Sequence, residues 1–244
     1  MSELRYTFEY DPHLGLYRWQ IVPGQQLLPP PVVAAPRFPR LVALGGGAGL
    51  AILLQGLKAA LSLPGSAWLP GGDRERLTAI EPNGAGAVSR ALGAIEAADL
   101  IVIGPARLYA SLIAVLLVKE IAEAIGRSKA RVVLAMNLMT ELGQTDGYTA
   151  TDHLLAIRSH APAVRIHDVL FNTASVAPEL RARYAACGRA PVEINLEHLW
   201  ATGCRPIGRD LLGQGPMVRH DPAKLARAVL ESEVDQIAAL EKEK

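Results

Sequence analysis

Short apolar runs alternate with longer stretches of helical periodicity from residue 40 onward. Four runs are almost continuously apolar, as strands buried on both faces of a sheet are; they span 40–44, 99–104, 130–137 and 166–172. The periodicity between and after them predicts helices over 48–62, 84–97, 109–126, 149–160, 178–187 and 222–240. Strand and helix in repeated alternation predict a Rossmann-like α/β fold, with a mainly parallel sheet and helices on both faces.

The first forty residues follow a different pattern. Apolar and polar positions alternate over 6–10 and 16–22, and the turn-forming DPHLG at 11–15 separates them, which predicts a β-hairpin. PPPVVAAP at 29–36 predicts an extended linker, because consecutive prolines cannot sustain a helix. We therefore divide the chain into a hairpin arm with its linker, residues 1–38, and a Rossmann-like domain, residues 39–244. An isolated hairpin is marginally stable, so we expect the arm to pack on the main domain or on a second subunit, as in a homodimer.

Composition narrows the class of partner. The chain has 25 Lys and Arg against 24 Asp and Glu, a net charge of +1, and no basic block, so nucleic acid and anionic membranes are not expected partners. The most apolar window, 100–118, contains a Gly-Pro pair and an arginine, which a membrane span tolerates poorly. The two cysteines form no metal-spaced cluster, and the N-terminus lacks the pattern of a signal peptide. These features predict a cytoplasmic protein with small-molecule or protein partners and no metal ligand set.

A glycine-rich stretch joins the first predicted strand of the main domain to its helix. The sequence LVALGGGAGL occupies 41–50. Glycines allow positive φ and close approach of the backbone, and a helix N-terminus favours an anion. The spacing matches neither G-x-G-x-x-G, because Leu50 takes the third glycine position, nor a P-loop. We interpret the stretch as a phosphate-binding segment; the alternative is a turn that only packs strand against helix.

Three further polar loops begin where predicted strands end. They are GPARLYAS at 104–111, NLMTELGQTDGYT at 137–149 and FNTASVAP at 171–178. In a doubly wound sheet the ligand lies beyond the carboxyl ends of the strands. We therefore expect these loops to converge with the glycines on one binding site.

Acidic residues beside histidines do not indicate acid–base catalysis here. Asp152 precedes His153 and Asp168 follows His167, and adjacent side chains point apart on a helix or strand. These positions are expected to be helix caps or surface positions. Asp221 is expected to cap the last helix, with Pro222 at its first position.

Taken in order, these segments resemble the YvcK and CofD superfamily, which comprises the gluconeogenesis factors and the 2-phospho-L-lactate transferases. The resemblance covers residues 40–235 and rests on VALGGGAGL, on the stretch from ADLIVIGP to TATDHLLAI, and on GPMVRHDPAKLARAVLE. NLMT, TDGY and RHDP place the chain nearer the YvcK branch. For that branch the resemblance implies binding of a UDP-sugar or related nucleotide, with effects on carbon metabolism and cell shape. For the CofD branch it implies magnesium-dependent transfer of a phospholactyl group from a guanosine-activated donor to a deazaflavin.

The resemblance also implies a set of ligand-binding residues. Those expected to hold phosphate are Gly45, Gly46, Gly47, Ala48 and Gly49. Those expected to border the ligand after the second strand are Gly104, Leu108, Tyr109 and Ser111, and Arg107, which departs from the family, is a further candidate there. Those expected to line the third loop are Asn137, Thr140, Thr145 and Asp146.

The chain departs from the family where a metal would be held. The family's aspartate-rich DDGGSS loop and the helical insertion after it are absent, and LPGGDRERLTAI at 69–80 keeps Asp73 but lacks the strand before it. Carboxylates are the groups that hold Mg²⁺ on a pyrophosphate, so magnesium and turnover are not expected. Asp73 and Asp146 are the remaining candidates for catalysis. Arg107 stands where the family has a small residue; it either counters phosphate charge or blocks the pocket.

Three hypotheses follow. The first is a shortened YvcK-like protein that binds a nucleotide, most simply a UDP-sugar, and acts through a regulatory protein partner without turnover. The second is a CofD-like transferase that uses Asp73 and Asp146. The third is a dimeric scaffold in which loss of the second strand has removed the nucleotide pocket.

Overall fold

The computed structural model describes residues 6–11, 16–21, 40–62, 77–80 and 88–242, with side chains described over 40–60 and 91–232. Strands β1 (Tyr6–Asp11) and β2 (Leu16–Ile21) pair antiparallel, which confirms the predicted hairpin. The proline-rich linker at 29–36 and the candidate Asp73 lie outside the described residues.

The main domain is built on a parallel sheet of six strands. They are β3 (Leu41–Leu44), β4 (Leu77–Ile80), β5 (Leu100–Ile103), β6 (Arg131–Ala135), β7 (Asp168–Asn172) and β8 (Arg205–Arg209). Their order across the sheet is β4-β3-β5-β6-β7-β8, and every pairing is parallel. The predicted fold class is confirmed. Strand β4, which the apolar pattern did not predict, is the LTAI end of the segment 69–80 and pairs with β3 along its whole length. The residues just before that segment, where a strand was expected to be missing, lie outside the described part of the chain.

Each predicted helix has a counterpart in the structure, and one further helix, Leu196–Ala201, was not predicted. The helices are α1 (Gly47–Ser62), α2 (Val88–Ala97), a π-helical turn (Leu108–Ile113) continued by α3 (Ala114–Leu116), α4 (Lys119–Arg127), α5 (Ala150–His160), α6 (Pro178–Ala185), α7 (Leu196–Ala201) and α8 (Pro222–Lys242). The helix predicted over 109–126 is interrupted, because Val118 takes an extended backbone conformation and α4 begins after it. Within the described residues, no helix is long and apolar enough to cross a membrane.

Two apolar layers cover the sheet. Alternate residues of each strand face opposite sides: Leu41 and Ala43 pack in a cluster with α1 and α8, whereas Val42 and Leu44 pack with the helices on the other side. The helix pair α1 and α8 crosses closely at Gly56, where an added Cβ would lie 1.8 Å from the Pro222 carbonyl oxygen. Helices therefore lie on both faces, as predicted.

The strand order fixes the position of a ligand site. The chain leaves β3 for its neighbour β4 and then returns past β3 to β5, so the direction of winding reverses between β3 and β5. In doubly wound sheets the crevice at such a switch point, beyond the carboxyl ends of the strands, is where ligands bind. The glycines after β3 and the loop after β5 both begin there.

Two side chains that were expected at caps or on the surface are buried. Asp168, at the amino end of β7, is fully buried and forms ion pairs with Arg131 and with Arg205, the latter at 2.9 Å. The surface expectation failed because flanking strands bring two guanidinium groups to one carboxylate, at the sheet edge opposite the switch point. His153 is buried as well, with Nδ1 2.8 Å from the Thr149 carbonyl oxygen.

Two cap predictions are confirmed. Asp152 completes a capping box with Thr149 at the start of α5. Asp221 accepts hydrogen bonds from the backbone N–H groups of Ala223 and Lys224, each at 2.9 Å, and so caps α8.

Candidate functional site

A cleft of about 750 Å³ opens at the carboxyl edge of β3, β5 and β6. Its walls are formed by the start of α1, the loop after β5, the loop after β6 and the segment 217–220 that precedes α8. The loop after β7 lines a smaller adjoining pocket of about 200 Å³, which shares Asn137 and Leu138 with the cleft. Three of the four segments predicted to converge therefore line one cleft, and the fourth lines its neighbour.

The start of α1 requires glycine at two positions, for two different reasons. Gly47, the first residue of α1, has a φ of +65°, and its added Cβ would meet nothing within 4 Å. At Gly49 an added Cβ would lie 2.0 Å from the Pro105 carbonyl oxygen, so α1 contacts the β5 loop backbone to backbone. The first turn of α1 contains no acidic residue. A helix N-terminus of this kind is suited to an anion.

The described side chains that line the cleft give it positive charge. Arg107, Arg189 and Arg219 line it, together with one carboxylate, that of Glu141. Arg107 Nε lies 3.7 Å from Glu141 Oε1, and the Arg107 side chain is 64% exposed. The guanidinium of Arg107 therefore stands on the wall of the cleft with most of its surface free to meet a ligand.

Polar side chains of the β6 loop hold the walls together. Asn137 Nδ2 donates to the Ala106 carbonyl oxygen at 2.9 Å and so ties the β6 loop to the β5 loop. Thr140 is buried, and its Oγ1 accepts from the Ala190 N–H at 3.0 Å. These two residues shape the cleft that they line.

The structure divides the predicted site residues into two groups. Those that line the cleft are Gly46, Gly47, Ala48, Gly49, Arg107, Ser111, Asn137 and Thr140. Those that do not are Gly45, Gly104, Leu108, Tyr109, Thr145 and Asp146.

Packing and local hydrogen bonds explain the second group. Leu108 is buried in the core, and the Tyr109 hydroxyl lies 2.9 Å from that of Tyr148, a hydrogen bond that raises the pKa of Tyr109. Thr145 Oγ1 accepts from the Glu141 N–H at 2.8 Å. Asp146 is exposed and accepts from the Gly143 N–H at 2.6 Å, so this catalytic candidate supports its own turn outside the cleft. Gly45 and Gly104 are buried backbone at the ends of β3 and β5.

Three basic residues that line the cleft, Arg189, Arg219 and His220, were not among those the sequence assigned to the site. Arg189 follows α6, and nothing in its local pattern distinguishes it. Arg219 and His220 precede Asp221 in the RHDP motif, which carried part of the resemblance and marked the start of the last helix. His220 is 8% exposed, and burial lowers its pKa to about 4. Over the described residues, no group of three or more His, Cys, Asp or Glu side chains is arranged to hold a metal ion.

Comparisons with known proteins agree with this fold and with the motifs. The family model of 2-phospho-L-lactate transferase CofD matches residues 71–212. A gluconeogenesis factor of Halalkalibacterium halodurans is 42% identical over 141 residues, which is 57% of this chain and 44% of the relative. The gluconeogenesis factor of Bacillus subtilis is 31% identical over 161 residues, 66% of this chain and 51% of the relative. The chain thus spans about half the length of these relatives.

A solved structure supports the same relationship. A crystal structure of a UPF0052 family protein from Bacillus halodurans is 40% identical and covers 58% of this chain and 46% of its own, with a TM-score of 0.56.

Proposed function

Because the chain belongs to the 2-phospho-L-lactate transferase CofD family, we propose that its cleft binds a nucleotide whose phosphates lie against the start of α1. The relatives named gluconeogenesis factor favour a regulatory role in carbon metabolism. We propose that the protein exerts this role through a partner protein, without turnover. A UDP-sugar is the proposed ligand, as the resemblance to the YvcK branch implies.

One observation carries the proposal: α1 begins in the cleft without side-chain bulk or negative charge. Gly47 and Ala48 are exposed there, and three arginines line the same cleft. Backbone N–H groups at a helix start point toward an anion, and guanidinium groups bind phosphate in a planar, bidentate way. A volume of about 750 Å³ also lies within the ordinary range for small-molecule sites.

In this proposal an arginine supplies the positive charge that a metal ion would supply. Arg107 replaces a small residue of the family and lines the same cleft as the start of α1. Its guanidinium neutralises phosphate charge that Mg²⁺ would otherwise neutralise. A ligand held between α1, the β5 loop and the segment before α8 links three elements, and we propose that a partner protein recognises this linked state.

The test uses two variants of Gly47 that differ only in charge. Asp and Asn tolerate positive φ better than other non-glycine residues, and there is space for a side chain at this position. Gly47→Asp introduces a carboxylate beside the proposed phosphate site, and we expect it to abolish binding of UDP-N-acetylglucosamine in calorimetric titration. Gly47→Asn is the matched control, and we expect it to retain binding within a few fold. Equal affinities of the two variants would reject the phosphate site.

The family's transferase chemistry finds less support. Asp146 does not line the cleft and accepts a hydrogen bond from the Gly143 N–H, which leaves Glu141 as the carboxylate among the described lining residues. A transferase would show magnesium-dependent turnover that Asp146→Asn removes, so full activity in that variant would reject the acid assignment.

A further inference from the structure

A second pocket, of about 590 Å³, adjoins the cleft on the side of α6. Its lining comes from 183–189, from 216–217 and from Leu142, and we call it the α6 pocket. It shares Tyr184, Arg189 and Met217 with the cleft. The Tyr184 hydroxyl accepts a hydrogen bond from the Val218 N–H at 3.1 Å, which ties α6 to the segment before α8. The α6 pocket therefore has a braced wall next to the proposed nucleotide site.

The apolar side chains of the α6 pocket are exposed. Leu142 is 64% exposed and Met217 is 43% exposed, and Pro216 beside it is exposed as well. Leu142 lies over the turn at Gly188, where an added Cβ would stand 2.8 Å from Leu142 Cδ1. Single exposed apolar side chains need no explanation, but these three line one pocket, as at a contact surface.

The charge of the α6 pocket is positive. Arg183 and Arg189 line it, both exposed, and no carboxylate of the described residues does. The Arg183 guanidinium donates to the Pro216 carbonyl oxygen, which fixes its place beside the apolar side chains. Interfaces match patches of opposite charge, so carboxylates are the complement of this pocket.

The composition and openness of the α6 pocket fit a protein partner. Tyrosine, methionine and arginine are enriched at protein interfaces, whereas lysine, glutamate, aspartate, serine and alanine are depleted. The lining residues include the first three types and none of the depleted ones. Small-molecule sites enclose most of their ligand, but every lining residue here except Tyr184 is exposed. The pocket therefore suits a side chain that a partner protein inserts from solvent.

We infer that the α6 pocket is the docking site of a partner protein, whose segment places an apolar side chain against Leu142 and Met217 and carboxylates beside Arg183 and Arg189. The inference rests on the proposed function, which calls for a partner. It goes further by stating where that partner binds and what chemistry its segment has. The residues shared with the cleft place the docked segment next to the nucleotide site.

The experiment measures binding of labelled hexapeptides by fluorescence polarisation. The probe is Asp-Glu-Leu-Phe-Asp-Glu; the controls are Asn-Gln-Leu-Phe-Asn-Gln, which lacks the charge, and Asp-Glu-Ala-Ala-Asp-Glu, which lacks the large apolar side chains. We expect wild type to bind each control at least about tenfold more weakly than the probe, because burial of one apolar side chain alone contributes that much. Probe affinity should also fall as salt rises. Equal affinity for the three peptides, or no binding of the probe, would overturn the inference.

Two leucine variants locate the peptide. Leu142→Ser removes an apolar side chain of the α6 pocket and should weaken probe binding about tenfold. Leu155→Ser is the matched control, because Leu155 is 49% exposed on α5 and does not line the pocket. It should bind the probe as wild type does. Equal probe affinities of the two variants would overturn the assignment of the pocket.

A cysteine in the α6 pocket gives a second measurement on the wild-type protein. Cys187 lines the pocket and is exposed, whereas Cys204 is buried, so alkylation of the folded protein by iodoacetamide reports on Cys187. Saturating probe should slow this alkylation several-fold, and Asp-Glu-Ala-Ala-Asp-Glu at the same concentration should not. An unchanged rate would overturn the inference, since the probe would then bind elsewhere.

Nucleotide titration separates this inference from the proposed function. Leu142 does not line the cleft, so Leu142→Ser should bind UDP-N-acetylglucosamine as wild type does. Probe binding without nucleotide binding would reject the proposed nucleotide site and leave the docking site standing. Nucleotide binding without probe binding would do the reverse. A lower mass of Leu142→Ser than of wild type in light scattering would assign the pocket to a second copy of this chain and overturn the inference.

Discussion

Substitution of Gly49 by alanine tests the contact on which the proposed site is built. Gly49 lies in the first turn of α1, and its added Cβ would stand 2.0 Å from the carbonyl oxygen of Pro105 and 2.7 Å from the carbonyl carbon. Both obstructing atoms are backbone, so no side-chain rotation relieves the clash. Either α1 or the loop after β5 must move, by about 1 Å or more, to restore an ordinary contact.

Two opposing effects set the magnitude for Gly49→Ala. Alanine in place of glycine in a helix stabilises by about 0.5–1 kcal/mol. Overpacking costs typically about 1–3 kcal/mol, and here it dominates because the clash is with backbone. We expect a net loss of about 1–2 kcal/mol in the free energy of unfolding. Displacement of an α1 terminus by about 1 Å should also weaken nucleotide binding at least about tenfold, since misplacements of this size have large effects on site chemistry.

Urea unfolding and calorimetric titration measure the two effects on the same protein. Gly93→Ala is the matched control, because Gly93 is an exposed position of α2 where an added Cβ meets nothing within 4 Å. It should gain about 0.5–1 kcal/mol and leave binding unchanged. Gly49→Ala with wild-type stability and wild-type affinity would refute the argument that α1 must approach the β5 loop this closely.

Three further predictions concern the rest of the chain. Asp168→Ala leaves two arginines without their buried carboxylate and should lower the free energy of unfolding in urea by about 3 kcal/mol. The control Glu123→Gln, on the exposed face of α4, should change this free energy little. Similar small losses in both variants would contradict a stabilising role for the buried carboxylate. Burial lowers the folded-state pKa of His220 to about 4, so stability is fully present above the unfolded pKa of about 6.5 and is lost as pH falls through this window. The contribution is about 2 kcal/mol between pH 7.5 and 5, and a His220→Gln protein with the wild-type pH slope would exclude it. Deletion of residues 1–38 should convert a dimer to a monomer in light scattering, and an unchanged mass would argue against the arm as the dimer contact.

Local pattern predicted the central strands and the site edge well, for a physical reason. Strands β3, β5 and β6 are buried on both faces, so their sequences are continuous apolar runs that differ from helical periodicity. The glycines after β3 and the polar loop after β5 then fall at adjacent strand ends as soon as a parallel sheet is assumed. The cleft that contains Gly47 and Arg107 follows from these two features.

Tertiary contacts decided what the pattern could not predict. Strand β8 contains Pro206 and Gly208 between arginines and resembles a loop, but it lies at the edge of the sheet, where proline is tolerated. Asp168 is buried because its partners come from two other strands. Arg189 and His220 reach the cleft from segments remote from the glycines in sequence, so only the folded chain brings them together.

The most direct test of nucleotide binding is a calorimetric titration of the wild-type protein with UDP-N-acetylglucosamine, UDP, GDP and NADP, each with and without Mg²⁺. We expect saturable, micromolar binding of a uridine nucleotide, strongest for the sugar-linked one, with the same affinity in the presence and absence of magnesium. No binding of any of the four would contradict the proposal that the start of α1 holds a nucleotide phosphate.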